Sequence, residues 1–140
     1  SLLNYIRFWQ ERYEICSSEV FFQIAGGIKA LQSSMALAFV AELQKIGFKI
    51  MLTDFGMGEC NLSILLSIKP DFVKFHPDLV IKNGSNSDFA PIFMKMIDII
   101  HTIGAKAIIP AVSNAEQVQW LLSSGIDYLS GPYIGNVFEV

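Results

Sequence analysis

Only two cysteines, Cys16 and Cys60, occur in the 140 residues. They lie far apart, which argues against a disulfide framework and for a reducing setting, so a cytoplasmic location is expected. Charge is also scarce, at 16% of residues, and Asp plus Glu outnumber Lys plus Arg by 13 to 10. A net charge of −3 with no basic stripe argues against nucleic acid as a partner. No apolar run approaches the roughly 18 residues of a membrane span. The N-terminal segment does not read as a secretory leader, because Arg7, Glu11, Arg12 and Glu14 interrupt it. Low complexity is confined to KNGSNS at 82–87. No G-x-G-x-x-G or Walker sequence follows any predicted strand, which weighs against the nucleotide-binding open sheets.

What is present is apolar: 52% of residues, with a mean hydropathy of +0.45. Charges recur within the apolar stretches at Lys29, Glu42, Lys45, Lys49 and Asp54. That pattern suits strands buried on both faces of an α/β sheet. Spacing predicts a helix over 2–16 with Leu2, Ile6, Trp9, Tyr13 and Cys16 on its apolar face. A strand over 20–25 follows, turning on Gly26-Gly27, then a helix over about 30–46 faced by Leu31, Met35, Phe39, Leu43 and Ile46 and stopped by Gly47. Next come a strand over 48–54, a short helix capped by Asn61 or Ser63 and ending before Pro70, and a strand over 71–75. The segment 82–87 is expected as a loop. A helix begins at Ser87 or Asp88, tolerates Pro91 in its first turn, is lined on one side by Phe89, Ile92, Phe93, Met96, Ile97 and Ile100, and ends at Gly104. A strand over 106–110, a helix opened by Asn114 with Gln117 three residues on, and a last short strand over 127–130 complete the order.

Strict strand–helix alternation predicts about five parallel strands with outer helices, either an open sheet or part of a (β/α)₈ barrel. Sites in such folds gather at the C-terminal ends of strands. The stretch 48–58, FKIMLTDFGMG, delivers Thr53 and Asp54 there, and the other strand ends add Gln23, Lys74, His76, Pro110, Ser113 and Ser130. Each has a plain structural reading too. Asp54 can cap a turn, or it can pair with Lys74. His76, before Pro77, reads as a loop histidine, His101 as packing or surface, and the Gln23 amide needs a partner.

Taken together, these residues resemble a known family. Thr53-Asp54-Phe55-Gly56-Met57-Gly58 resembles the DDFGTG motif of EAL domains, the bacterial cyclic di-GMP phosphodiesterase family. Phe22 to Ala25 sits where the family has E-I-T-E, and Val73 to His76 matches V-K-I-D. Ile108 to Gln117 is similar to A-E-G-V-E-T-x-E-Q, and Gly125 to Tyr133 to G-x-D-x-x-Q-G-Y. The blocks keep their order across about residues 20–135. The resemblance implies the C-terminal part of a TIM-like barrel, a single unit over 1–140 with no internal boundary, joined to upstream signalling domains.

The resemblance also implies what differs. Active members hold two divalent metals, Mg or Mn, in a cage of carboxylates. Here Gln23 and Gly26 replace glutamates, Thr53 and His76 replace aspartates, and Pro110, Ser113 and Ser130 replace a glutamate, a glutamate and a glutamine. Asp54 is the one surviving candidate metal ligand, and Lys74 matches the family lysine near the phosphate. On that comparison the expectation is a chain that is not an enzyme and needs no cofactor, acting in signal transduction as a metal-independent cyclic di-GMP sensor through Gln23, Thr53, Asp54, Lys74, His76, Ser113 and Ser130. The alternatives are a protein-interaction scaffold, a residual phosphodiesterase completed by ligands from a missing N-terminal half, and an unrelated small α/β enzyme built around Asp54 and His76. Open sheet edges at 20–25 and 127–130 predict self-association as a dimer.

Overall fold

A computed structural model describes residues 1–25, 33–58, 60–84 and 86–140. The Gly26-Gly27 turn, Lys29, and the start of the helix expected from 30, including Leu31, lie outside them. The described elements are α1 (Leu2–Arg12), β1 (Phe21–Ile24), α2 (Ser34–Ile46), β2 (Lys49–Phe55), α3 (Leu62–Ile68), β3 (Phe72–Phe75), α4 (Pro77–Asn83), α5 (Phe89–Thr102), β4 (Lys106–Ile109), α6 (Ala115–Leu122), β5 (Tyr128–Gly131) and β6 (Gly135–Glu139). The sheet order is β1 to β6 in sequence, parallel through β5, with β6 antiparallel to β5. No helix among the described residues is long and apolar enough to cross a membrane.

The core lies between the sheet and the helices. Ile50, Leu52, Val73, Phe75, Ala107, Ile109 and Leu129 alternate toward the helices and are buried. Helix α5 answers with Phe89, Phe93, Ile97 and Ile100, the i, i+4 stripe expected from its period. Phe93 packs on Phe75 at 4.9 Å and on Trp120 at 5.5 Å between ring centres. The other sheet face is open. Beneath the strand ends it forms an apolar hollow of about 280 Å³ lined by Phe21, Met51, Phe72, Ile108 and Tyr128.

Two aspartates missed as functional in the sequence lock the N-terminal ends of the strands. Asp71 accepts the Ile50 N–H at 2.8 Å and faces Lys49 at 3.6 Å. Asp127 repeats the device two strands on: it accepts the Ala107 N–H at 2.7 Å, faces Lys106 at 3.7 Å and meets His101 Nε2 at 2.8 Å. The repeated pattern Lys-apolar…Asp was the available signal. It leaves His101 as a surface partner of a structural carboxylate.

Several expectations need correction. Helix α1 stops at Arg12, with Tyr13 as its C-cap, so Cys16 is not on it. Its inward residues are Leu3 and Ile6, while Leu2 and Tyr13 are 61% and 64% exposed. In α2 the expected face holds at Phe39, Leu43 and Ile46, which pack on the core together with Val40, and fails at Met35, which is 82% exposed. Ile92, expected on the inner face of α5, is exposed. Residues 77–83 form a further helix, α4, which takes in the first two residues of the loop expected over 82–87; Pro77 sits at N1, where its missing N–H costs nothing. The edge at β5 is not open. Gly131 and Gly135, at φ of 142° and 82°, bracket a turn that brings β6 back along it. The β1 edge stays unpaired among the described residues.

Candidate functional site

Strand β2 carries the site because of one extra residue. Leu52 pairs with Val73 and Phe55 with Phe75, so three steps on β2 oppose two on β3. The bulge falls on Thr53-Asp54, and Asp54 takes the left-handed conformation at φ 61°. Strict alternation would send Asp54 toward the helices and Phe55 outward. The bulge instead leaves both Thr53 and Asp54 lining the cleft and returns Phe55 to the core against Phe75, 5.6 Å away. Short polar Asp tolerates that backbone better than most residues.

The cleft is open, about 310 Å³, at the C-terminal ends of the parallel strands. Gln23, Ala25, Thr53, Asp54, Lys74, Phe75, Pro77, Pro110 and Ala111 line it. Four of the seven predicted site residues therefore meet: Gln23, Thr53, Asp54 and Lys74. The other three do not line it. His76 caps α4, its Nδ1 accepting the Asp78 N–H at 3.1 Å, which places the proton of the neutral ring on Nε2. That corrects its reading as a loop histidine. Ser113 gives both its N–H, at 2.8 Å, and its hydroxyl, at 3.2 Å, to Gln117 Oε1. Ser130 presents its carbonyl to the Val112 N–H at 2.9 Å.

Within the cleft the polar groups are unequally committed. Thr53 is 3% exposed and its hydroxyl donates to the Ile24 carbonyl at 3.2 Å, tying the top of β1 to β2. Gln23 is exposed on the open face, so its amide does not need the buried partner that the sequence suggested. The expected Asp54–Lys74 ion pair is not made: no pair within 4.0 Å joins them. Lys74 is half-buried with no hydrogen-bond or ion-pair partner among the described residues. An ammonium in that position is poised for an anion. Among the described residues, Asp54 is the only carboxylate that lines the cleft, and no three His, Cys, Asp or Glu side chains could hold a metal ion. These residues alone therefore do not make up a metal site.

Cys60, unmarked in the sequence, lies within electrostatic reach of Asp54. Burial, and then the Asp54 charge, push its thiol from an ordinary 9.0 up to about 11. The folded state thus holds this proton more tightly than the unfolded one. Stability is predicted to fall as pH rises through the window from 9.0 to about 11. Denaturant midpoints across that window check this, and Cys60→Ala should flatten the fall. An equally steep fall in the variant would refute the assignment.

The comparisons with known proteins agree with this geometry. The family model for the EAL domain matches residues 1–136. Cyclic di-GMP phosphodiesterase PdeB of Shewanella oneidensis is 27% identical over 134 residues, covering 96% of this chain and 16% of that protein. The chain thus spans about a sixth of that relative. Among solved structures, PaMucR phosphodiesterase in complex with c-di-GMP superposes with a TM-score of 0.83 at 20% identity, covering 99% of this chain and 56% of that one. The Klebsiella pneumoniae BlrP1 manganese/cy-diGMP complex gives 0.80 at 21%, covering 92% of this chain and 33% of its own.

Two expectations are corrected here. The expectation that the chain is not an enzyme is overturned by its relatives, since almost its whole length matches a protein named for phosphodiesterase activity. The expectation that no cofactor is involved is overturned by BlrP1, a fold neighbour solved as a manganese/cy-diGMP complex. Replacements read one at a time against a motif carried less weight than the match of the whole chain. The fold is that of TIM-barrel-like EAL domains, and the chain belongs to the EAL domain family.

Proposed function

We propose that the cleft binds cyclic di-GMP, with Lys74 as a contact to one of its phosphates, and that the chain serves cyclic di-GMP hydrolysis in the whole protein. Residues 1–140 are then the C-terminal part of one EAL barrel, with further ligands to the dinucleotide and to metal coming from outside the described residues. The observation that carries the reading is the uncommitted ammonium of Lys74 in an open cleft at the strand ends. A phosphodiester supplies the charge partner that the fold withholds. In hydrolysis the same ammonium would stabilise charge building on the phosphoryl oxygens as water attacks phosphorus and the P–O bond breaks. Asp54, in no ion pair among the described residues, is the carboxylate they offer to orient a water or an ion. Calorimetry of the protein with cyclic di-GMP and Mn²⁺, followed by chromatography for the linear dinucleotide, tests both parts. Saturable binding with turnover supports the reading, and a folded protein that binds nothing refutes it.

The unpaired β1 edge and the apolar hollow below the cleft favour a second reading, that these surfaces pair with another copy of the chain. Phe21, 53% exposed, stands at that edge. Sedimentation at micromolar concentration is expected to show a species heavier than the 15.6 kDa chain, and a monodisperse monomer would contradict it.

A further inference from the structure

We infer that Ala111 is a positioning residue of the ligand cleft, setting its wall through strain held in the backbone; the inference rests on the reading of this cleft as a dinucleotide site. Four non-glycine residues have positive φ among the described residues: Glu14, Asp54, Lys69 and Ala111. Lys69 is the C-cap of α3 and Glu14 follows the C-cap of α1, places where the left-handed conformation is ordinary. The other two both line the cleft, each at φ 61°. Asp54 has a short polar side chain suited to that region. Ala111 has only a methyl, which clashes with its own backbone there and forms no compensating hydrogen bond.

Its neighbours hold Ala111 in place. The next residue, Val112, is buried and doubly tied: its N–H donates to the Ser130 carbonyl at 2.9 Å and its carbonyl accepts the Tyr133 N–H at 3.0 Å. The Ala111–Val112 peptide lies on Gly131 so closely that a Cβ there would meet the Ala111 carbonyl carbon at 2.7 Å. Strain that persists because its surroundings over-determine it, and that falls on a cleft wall, marks a functional constraint. A β-carbon at 111 also restricts the wall before ligand arrives, so less ordering is left for binding to supply.

Glycine at this position separates strain from function. Ala111→Gly is expected to raise the thermal midpoint by about 2–3 °C by relieving the strain. The same change should speed cyclic di-GMP dissociation about fivefold with association nearly unchanged. A purely structural alanine would give the stability gain alone, so an unchanged dissociation rate in Ala111→Gly overturns the inference. A lowered thermal midpoint overturns it as well, because the strain would then not exist. Failure of the wild type to bind at all overturns the binding reading and this inference with it, whereas an unchanged dissociation rate in Ala111→Gly overturns this inference alone.

Discussion

Lys74→Ala is expected to weaken cyclic di-GMP binding by roughly 10- to 100-fold, the worth of one hydrogen-bonded contact to a charged group. The variant should fold normally. Lys74 makes no ion pair or hydrogen bond among the described residues, so its removal strands no buried partner. Its neighbours Val73 and Phe75 carry the packing of β3, and both point into the core. Lys74→Arg should retain part of the affinity, because charge is kept while the donor geometry changes. Calorimetry on the three proteins measures this. Affinity unchanged in Lys74→Ala would remove the lysine from the site.

Gly131→Ala is expected to be the most destabilising single change, by roughly 3–5 kcal/mol, a value reached when a buried backbone arrangement is broken. A Cβ at 131 would lie 2.6 Å from the Val112 carbonyl oxygen and 2.7 Å from the Ala111 carbonyl carbon, and would press on the Val112 nitrogen. These are backbone atoms and cannot swing aside as a side chain would. Shifting them breaks the Val112 bonds to Ser130 and Tyr133. The φ of 142° adds a conformational cost for any residue with a side chain. Domains of this size hold only about 5–15 kcal/mol of stability, so a large share would go. Urea unfolding reads the change directly, and a loss below about 1 kcal/mol would contradict the close approach.

The elements were legible where composition and period both spoke. Strand β2 announced itself as an apolar run ending on Thr53-Asp54, and Asn114 with Gln117 marked the start of α6; the Asn114 side chain accepts the Gln117 N–H at 2.9 Å. The bulge on β2 was not legible, because one added residue leaves the apolar composition intact while changing which way Asp54 faces. Helix α4 was hidden by its seven-residue length, too short to display a period. Strand β6 was hidden behind the Gly131-Pro132 turn signal, which marks an end as readily as a hairpin. The apolar face of α1 was misplaced in part, at Leu2 and Tyr13, because apolar residues there outnumber the positions that can be covered and spacing alone admits more than one stripe.

The site was legible by position more than by role. Gln23, Thr53, Asp54 and Lys74 converge as strand-end logic requires, whereas His76 and Ser113 are taken up by helix capping. Capping depends on where a helix starts, and for α4 that start was unseen. Ala111 stands where the similar A-E-G-V-E segment has its glycine, a sign of left-handed backbone at that position, but the strain an alanine adds there shows only in the backbone angles.

The central claim is that the ligand lies at the ends of β1 to β4, in the cleft lined by Gln23, Asp54, Lys74 and Ala111. Mapping amide chemical shifts of isotope-labelled protein during a cyclic di-GMP titration tests it most directly. Saturable shifts concentrated at residues 23–25, 53–56, 74–76 and 111–112 are the predicted result. Shifts centred instead on the Trp120 side of α6, or no shifts from a folded protein, would contradict the account.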